Sequence, residues 1–213
     1  MERGKRIELS ASAWKAEVLP LYEPRINNNM KLHTEIDIPN VESIKEQALK
    51  IIGPEYFDAA KPIFAYLPDS IRVFLAIPEL KSFLDSQGWT EHVTGIMLNI
   101  IPPGGVSTIH IDAPMFNKSF NIPLSGYEVS YVDFFKQIGE PTFKDKPDSE
   151  KSTKFKFWTF ERKDVELIER YQTTGPYMLR TDIPHQVINN GTSKRAILLV
   201  RLSHKLDLSQ YYI

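Results

Sequence analysis

The chain contains no cysteine, which excludes a disulfide framework, a thiolate zinc site, a cysteine nucleophile and a cysteine-held iron–sulfur cluster. Any metal must therefore be held by nitrogen and oxygen. An excess of either charge is also missing. The 26 Lys plus Arg against 27 Asp plus Glu leave a net charge of −1, so bulk electrostatics offer nothing to a phosphate backbone or an anionic lipid surface, and nucleic acid is not expected as a partner. Long apolar runs are absent as well: stretches such as 73–77 and 196–200 fall far short of a bilayer span. The opening Met1-Glu2-Arg3-Gly4-Lys5-Arg6 alternates charge and leads into no apolar signal segment. The expectation is a cytoplasmic protein without a membrane partner.

The 213 residues are 42% hydrophobic and 25% charged, the composition of a globular chain able to bury a sizeable core, with one domain as the default. Ile44, Ala48, Ile51 and Ile52 form one stripe, which predicts a helix over 41–52 with Asn40 as N-cap and Gly53-Pro54 as stop. A second helix is predicted from Pro78, suited to a first helical position, to the terminator Gly88. From His92 onward β signals take over, with a strand over 93–101, a Pro102-Pro103-Gly104-Gly105 turn and a strand over 106–112. Further strands are predicted over 119–124, 127–135, 155–161, 165–171, 177–181, 185–189 and 195–203. Many short strands without intervening helices predict a sandwich or barrel. Residues 139–154 are charged, contain Pro and Ser, and show no periodicity, so they are expected to be a flexible insertion or a lid.

Side chains two apart on a strand share a face, so Thr108, His110 and Asp112 point one way while Ile109 and Ile111 point the other. The second pair is apolar, and that side is expected to be covered by the N-terminal helices. His33-Thr34-Glu35 repeats the same spacing, which makes a lone His-x-acid pair a weak signal. His33 is expected on the surface of a helical and irregular region. Completing a metal site at His110 and Asp112 requires a third ligand. His185 is the best candidate, because the rigid Ile183-Pro184 step delivers it to the start of a strand. Two imidazoles and a carboxylate suit non-haem Fe(II) and leave three adjacent positions open, although zinc accepts the same set. The Asn-Gly turn at 190–191 predicts a hairpin returning Arg195 towards His185. By parity Arg195, Ile197, Leu199 and Arg201 share a face. A guanidinium inside a barrel is costly unless it meets an anion, and its fork matches a carboxylate; the alternative reading is two strand-end arginines that point at water.

His110-Ile111-Asp112, the distal His185 and Arg195 ten residues after it together resemble the iron(II)/2-oxoglutarate-dependent oxygenases, nearest the aspartyl/asparaginyl β-hydroxylase-like group. The Pro-Gly turn before the first His, Ile122-Pro123-Leu124 and the His-x-Val-x-Asn element at 185–189 are similar to that group too. The resemblance covers roughly residues 93–203. It implies a double-stranded β-helix (jelly-roll or cupin-like barrel), mainly β with N-terminal helices: a segment 1–92 packed on a catalytic core 93–213. It implies Fe(II) held by His110, Asp112 and His185, with 2-oxoglutarate as cosubstrate and dioxygen as oxidant. Arg195 is the implied anchor of the 2-oxoglutarate distal carboxylate. Arg201 and Ser203 also resemble the Arg-x-Ser cosubstrate element of other branches, so the two arginines compete for that role. Asn99 and Asn121 are further cosubstrate contacts or ordinary strand residues. The implied reaction is hydroxylation of an amino-acid or peptide side chain. A cupin-type metalloenzyme that does not use 2-oxoglutarate and a non-catalytic jelly-roll binding protein are the alternatives. Lys118, Tyr127, Tyr131, Trp158 and Arg180 flank predicted strands and are read either as a substrate mouth or as core.

Overall fold

The β-rich half of the sequence builds most of two sheets. Two short strands from the N-terminal segment expected to be only packed on the barrel form the edges of one of them, and the apolar helical stripes cover that sheet. The computed structural model describes residues 31–57, 60, 62–67, 69–112, 118–146 and 155–212. In chain order, β1 is His33–Glu35, α1 Val41–Ile51, α2 Pro54–Phe57, β2 Ile63–Tyr66, α3 Ser70–Phe74 and α4 Pro78–Ser86. The remaining strands are β3 Val93–Ile101, β4 His110–Ile111, β5 Lys118–Ser125, β6 Ser130–Gln137, β7 Thr142–Lys146, β8 Phe155–Thr159, β9 Val165–Gln172, β10 Tyr177–Arg180, β11 His185–Asn189 and β12 Arg195–Leu202. One six-stranded sheet has the order β1-β10-β5-β12-β3-β2 and the other β7-β8-β4-β11-β6-β9. All the pairings are antiparallel. Strands β3, β5, β10 and β12 fall in the first sheet and β4, β6, β9 and β11 in the second. This crossing back and forth is the jelly-roll, double-stranded β-helix architecture expected from the pattern of short strands.

Strand β12 lies between β3 and β5 and is buried at every residue. Ala196, Leu198, Val200 and Leu202 join the core beneath the helices, while Ile197 and Leu199 pack with Phe64 and Met97 on the face between the sheets. The helical side of that core is supplied by Ile44 and Ala48 of α1 and Leu80, Phe83 and Leu84 of α4. Each such Ile, Leu or Phe contributes roughly 1.5–3 kcal/mol by leaving water. Helix α4 begins at Pro78, as expected, and stops before Gly88, whose φ of 68° is readily available to glycine. Among the described residues no helix is long and apolar enough to cross a membrane.

Several expectations need correction. Asn40 occupies the N-cap of α1 as expected, with φ 57°, but its side chain makes no capping hydrogen bond. The segment expected to be patternless includes β7, which pairs with β8 over its whole length; residues 147–154 lie outside the described residues. Only His110–Ile111 of 106–112 joins a ladder, with an isolated bridge from Val106 to Ile188. Strand β6 starts at Ser130, because Tyr127 occupies the preceding turn and its carbonyl accepts from the Ser130 backbone. Ile109 and Ile111 are covered by Phe135, Trp158, Phe160 and Val165, so the second sheet and its own connections shield them instead of the helices. His33 lies in a strand, with its ring centroid 3.8 Å from that of Tyr171. Finally, β11 and β12 belong to different sheets. The Asn-Gly segment is thus a crossing between layers, held by Asn189 Nδ2 donating to the carbonyls of Ile101, Pro102 and Ser193.

Candidate metal centre

The antiparallel pairing of β4 with β11 sets His110 directly opposite His185. Their ring centroids are 4.4 Å apart. Each imidazole is fixed in the same way: Nδ1 of His110 donates to the Thr108 carbonyl at 2.8 Å and Nδ1 of His185 to the Ile183 carbonyl at 2.9 Å. A proton on Nδ1 makes Nε2 the lone-pair donor, the arrangement found where a backbone carbonyl sets the tautomer of a metal-binding imidazole. Asp112 follows β4, and its backbone N–H donates to the Thr181 carbonyl at 2.9 Å. Its Oδ1 lies 3.6 Å from His110 Nε2. The three side chains are 1–4% exposed, and each offers a ligand atom within 4.8 Å of the others. Two nitrogens and one carboxylate oxygen, buried and convergent, fit a divalent first-row metal with open positions.

Behind this group, a narrow cavity of about 20 Å³ is lined by Asn99, Asn121, Tyr177, Arg195 and Arg201, among others. Asp112 is the one carboxylate among the described residues that line it. Arg195 is 1% exposed. Its Nε donates to Ser130 Oγ at 3.1 Å, and its terminal nitrogens donate to Asn99 Oδ1 at 2.8 Å and to the Tyr177 hydroxyl at 3.2 Å. All three acceptors are neutral. Burial pulls the guanidinium below its usual value, with Tyr177 opposing, and among the described residues no carboxylate pairs with it. Arg201 is placed differently: its guanidinium donates to Asp112 Oδ2. Asn99 Nδ2 donates to the Ile63 carbonyl at 3.3 Å, so both ends of that amide are engaged. Asn121 accepts from Ser119 Oγ at 2.7 Å, while its Nδ2 is buried without a partner.

The structure brings His110, Asp112, His185, Arg195, Arg201, Asn99 and Asn121 to one cavity. Ser203 lies off it, with its N–H on the His92 carbonyl and its Oγ accepting from Lys205 N–H at 3.3 Å. None of the aromatic and basic residues considered for a mouth is among those that line this cavity. Lys118 sits 5.6 Å from the Tyr212 ring centre, Arg180 pairs with Asp182, and Trp158 packs on Phe143. Tyr127 faces Lys45, and the Arg170 guanidinium lies over Tyr131. Sequence reasoning missed Tyr177, Ser130 and Phe64. Tyr177 alternates with the outward Met178, and a hydroxyl-bearing aromatic at an inward position was the available signal.

No protein-family model and no curated protein sequence matches the chain. Among solved structures, it is similar to a Pseudomonas putida prolyl-4-hydroxylase at 11% identity, covering 84% of this chain and 94% of that one, with a TM-score of 0.43. It is similar to a Trichoplax adhaerens prolyl hydroxylase in complex with a hypoxia-inducible-factor peptide fragment at 16% identity, covering 78% and 79%, with a TM-score of 0.35. It is also similar to E. coli ycfD at 13% identity over 64% of this chain, with a TM-score of 0.35, and spans 31% of that protein's length. The chemistry of the site rests on its own residues.

Proposed function

We propose that this chain is an iron(II)- and 2-oxoglutarate-dependent oxygenase of the aspartyl/asparaginyl β-hydroxylase-like kind, hydroxylating an amino-acid or peptide side chain. One observation carries the reading: a buried His-Asp-His group shares its cavity with a buried guanidinium that among the described residues has no carboxylate partner. A cation without a counter-ion in a closed site is costly, and an anionic ligand removes the cost. Fe(II) bound here would, with 2-oxoglutarate and dioxygen, supply oxidative decarboxylation to succinate and carbon dioxide coupled to hydroxylation of a C–H bond.

The chain's own part is binding, orientation and exclusion of water. His110, Asp112 and His185 present the ligand atoms. Arg195 offers a forked donor that would pair with the distal carboxylate of 2-oxoglutarate. Tyr177 and Ser130 aim the guanidinium, Asn99 acts through it, and Asn121 Nδ2 supplies a donor that has no partner within the protein. The apolar Phe64, Leu179, Val187 and Leu199 around the cavity strengthen these polar contacts by keeping water out.

Purified protein supplied with Fe(II), 2-oxoglutarate, dioxygen and pools of amino acids and peptides is expected to form succinate, and Asp112→Asn is expected to stop it. Folded, Fe(II)-loaded protein that neither binds 2-oxoglutarate nor forms succinate would contradict the proposal.

A further inference from the structure

Arg195 and Arg201 share one face of β12, yet they have separate partners. Arg195 reaches Asn99, Ser130 and Tyr177, whereas Arg201 crosses from the first sheet to Asp112 beside the second. The two carboxylate oxygens of Asp112 are thereby distinguished. Oδ1 faces His110 Nε2, and Oδ2 is taken by the guanidinium. The pair is shut off from water, with Arg201 4% and Asp112 3% exposed, so solvent does not compete for Oδ2. A charge-assisted bond in such surroundings is among the stronger hydrogen bonds a protein makes. The backbone of Asp112 is tied separately to the Thr181 carbonyl, which limits rotation of the whole residue.

We propose that Arg201 is a positioning residue that confines Asp112 to a single ligating oxygen and so reserves a coordination position for incoming ligand. This rests on the metal site proposed above and assigns the two arginines different tasks. A carboxylate can bind a metal through one oxygen or two. With both oxygens on the ion, it would close one of the three adjacent positions that a two-imidazole, one-carboxylate group leaves open. Partners of a ligating side chain orient it and set its affinity, and their loss typically costs 10–100-fold.

The test is infrared spectroscopy of the full chain loaded with Co(II), with isotope-labelled aspartate identifying the Asp112 stretches by difference from Asp112→Asn. A carboxylate bound through one oxygen shows a wide gap between its antisymmetric and symmetric stretches, and one bound through two shows a narrow gap. Wild type is expected to give the wide gap. Arg201→Met and Arg201→Gln are expected to give the narrow gap, with 2-oxoglutarate binding to the Co(II) form weakened at least about tenfold. Arg201→Gln keeps a polar side chain in the buried position and carries the test if the Met variant does not fold. A narrow gap in wild type, or an unchanged gap in a folded variant, overturns the proposal. Wild-type protein that binds no Co(II) overturns the metal site itself, a result distinct from either.

Discussion

The two sheets enclose one cavity but line it with different chemistry. The second sheet, with the segment just beyond β4, contributes His110, Asp112 and His185, the groups able to ligate a metal. The first sheet contributes Arg195, Arg201, Asn99, Asn121 and Tyr177, which bear cations, amides and a phenol. Their outer faces differ as well. The first is backed by the large helical core containing Ile44, Leu80, Phe83 and Trp89, whereas the outer Ile109 and Ile111 of the second rest on a smaller cluster with Phe135, Trp158 and Phe160. A buried guanidinium demands a rigid, well-covered support, because any slack exposes an unpaired charge or breaks its fork geometry. The helical layer supplies that support to the sheet that carries both arginines.

The largest expected effect comes from separating metal binding from folding. His185→Gln removes a ligand nitrogen while leaving the buried Asp112–Arg201 pair intact, so Mn(II) affinity is expected to fall more than about 100-fold, while the thermal midpoint without metal changes little. Electron paramagnetic resonance of free Mn(II) reads the first quantity and circular dichroism the second. Equal Mn(II) affinity in this variant would break the division between the sheets. Next comes the support itself. Phe120 is fully buried and packs on Phe83 and Trp89 at centroid distances of 5.5 and 5.4 Å. Phe120→Ala is expected to cost about 3–5 kcal/mol in urea unfolding, with Mn(II) affinity per folded molecule retained. Parallel loss of both would show that the helical core and the metal ligands are not separable.

The smallest effect lies where the two sheets meet at their edges. His33 of β1 stacks on Tyr171 of β9, and its Nδ1 is 2.9 Å from Glu169 Oε1. Burial lowers the His33 value below 6.5, and Glu169 and then Glu35 oppose this while Lys31 adds to it. The unfolded chain therefore binds more protons between the folded value and 6.5. Stability from this residue is present above 6.5 and falls as pH drops through that window. Urea midpoints at pH 7.5 and 5.5 are expected to differ more for wild type than for His33→Phe; the reverse order would remove His33 from the account.

Much of this organisation was legible in the residues. The alternation in β12 gave the shared face of Arg195 and Arg201, and the Pro184 step before His185 marked the start of β11. Which layer a strand joins was not legible, because an Asn-Gly turn looks the same whether the chain folds back within a sheet or crosses to the other. The partners of Arg195 were hidden for the same reason. Ser130 and Tyr177 come from different sheets, and only long-range register brings both to one guanidinium. Strand β7 was obscured because its order comes from pairing with β8, while Lys144, Asp145 and Lys146 read locally as solvated loop. β1 and β2 are too short, at 3 and 4 residues, to show a period.

The central claim is that three ligands from one side of the cavity and a guanidinium from the other hold a metal and a dicarboxylate together. Anaerobic titration of Fe(II)-loaded protein with 2-oxoglutarate, followed by visible absorption, tests it directly. The account predicts a saturable band from chelation of the iron by the 2-oxo acid, and Arg195→Met is expected to need at least about tenfold more 2-oxoglutarate for half-saturation, the loss of one charge-assisted bidentate contact. Fe(II)-loaded wild type that develops no band, or a variant that saturates at the same concentration, would contradict it.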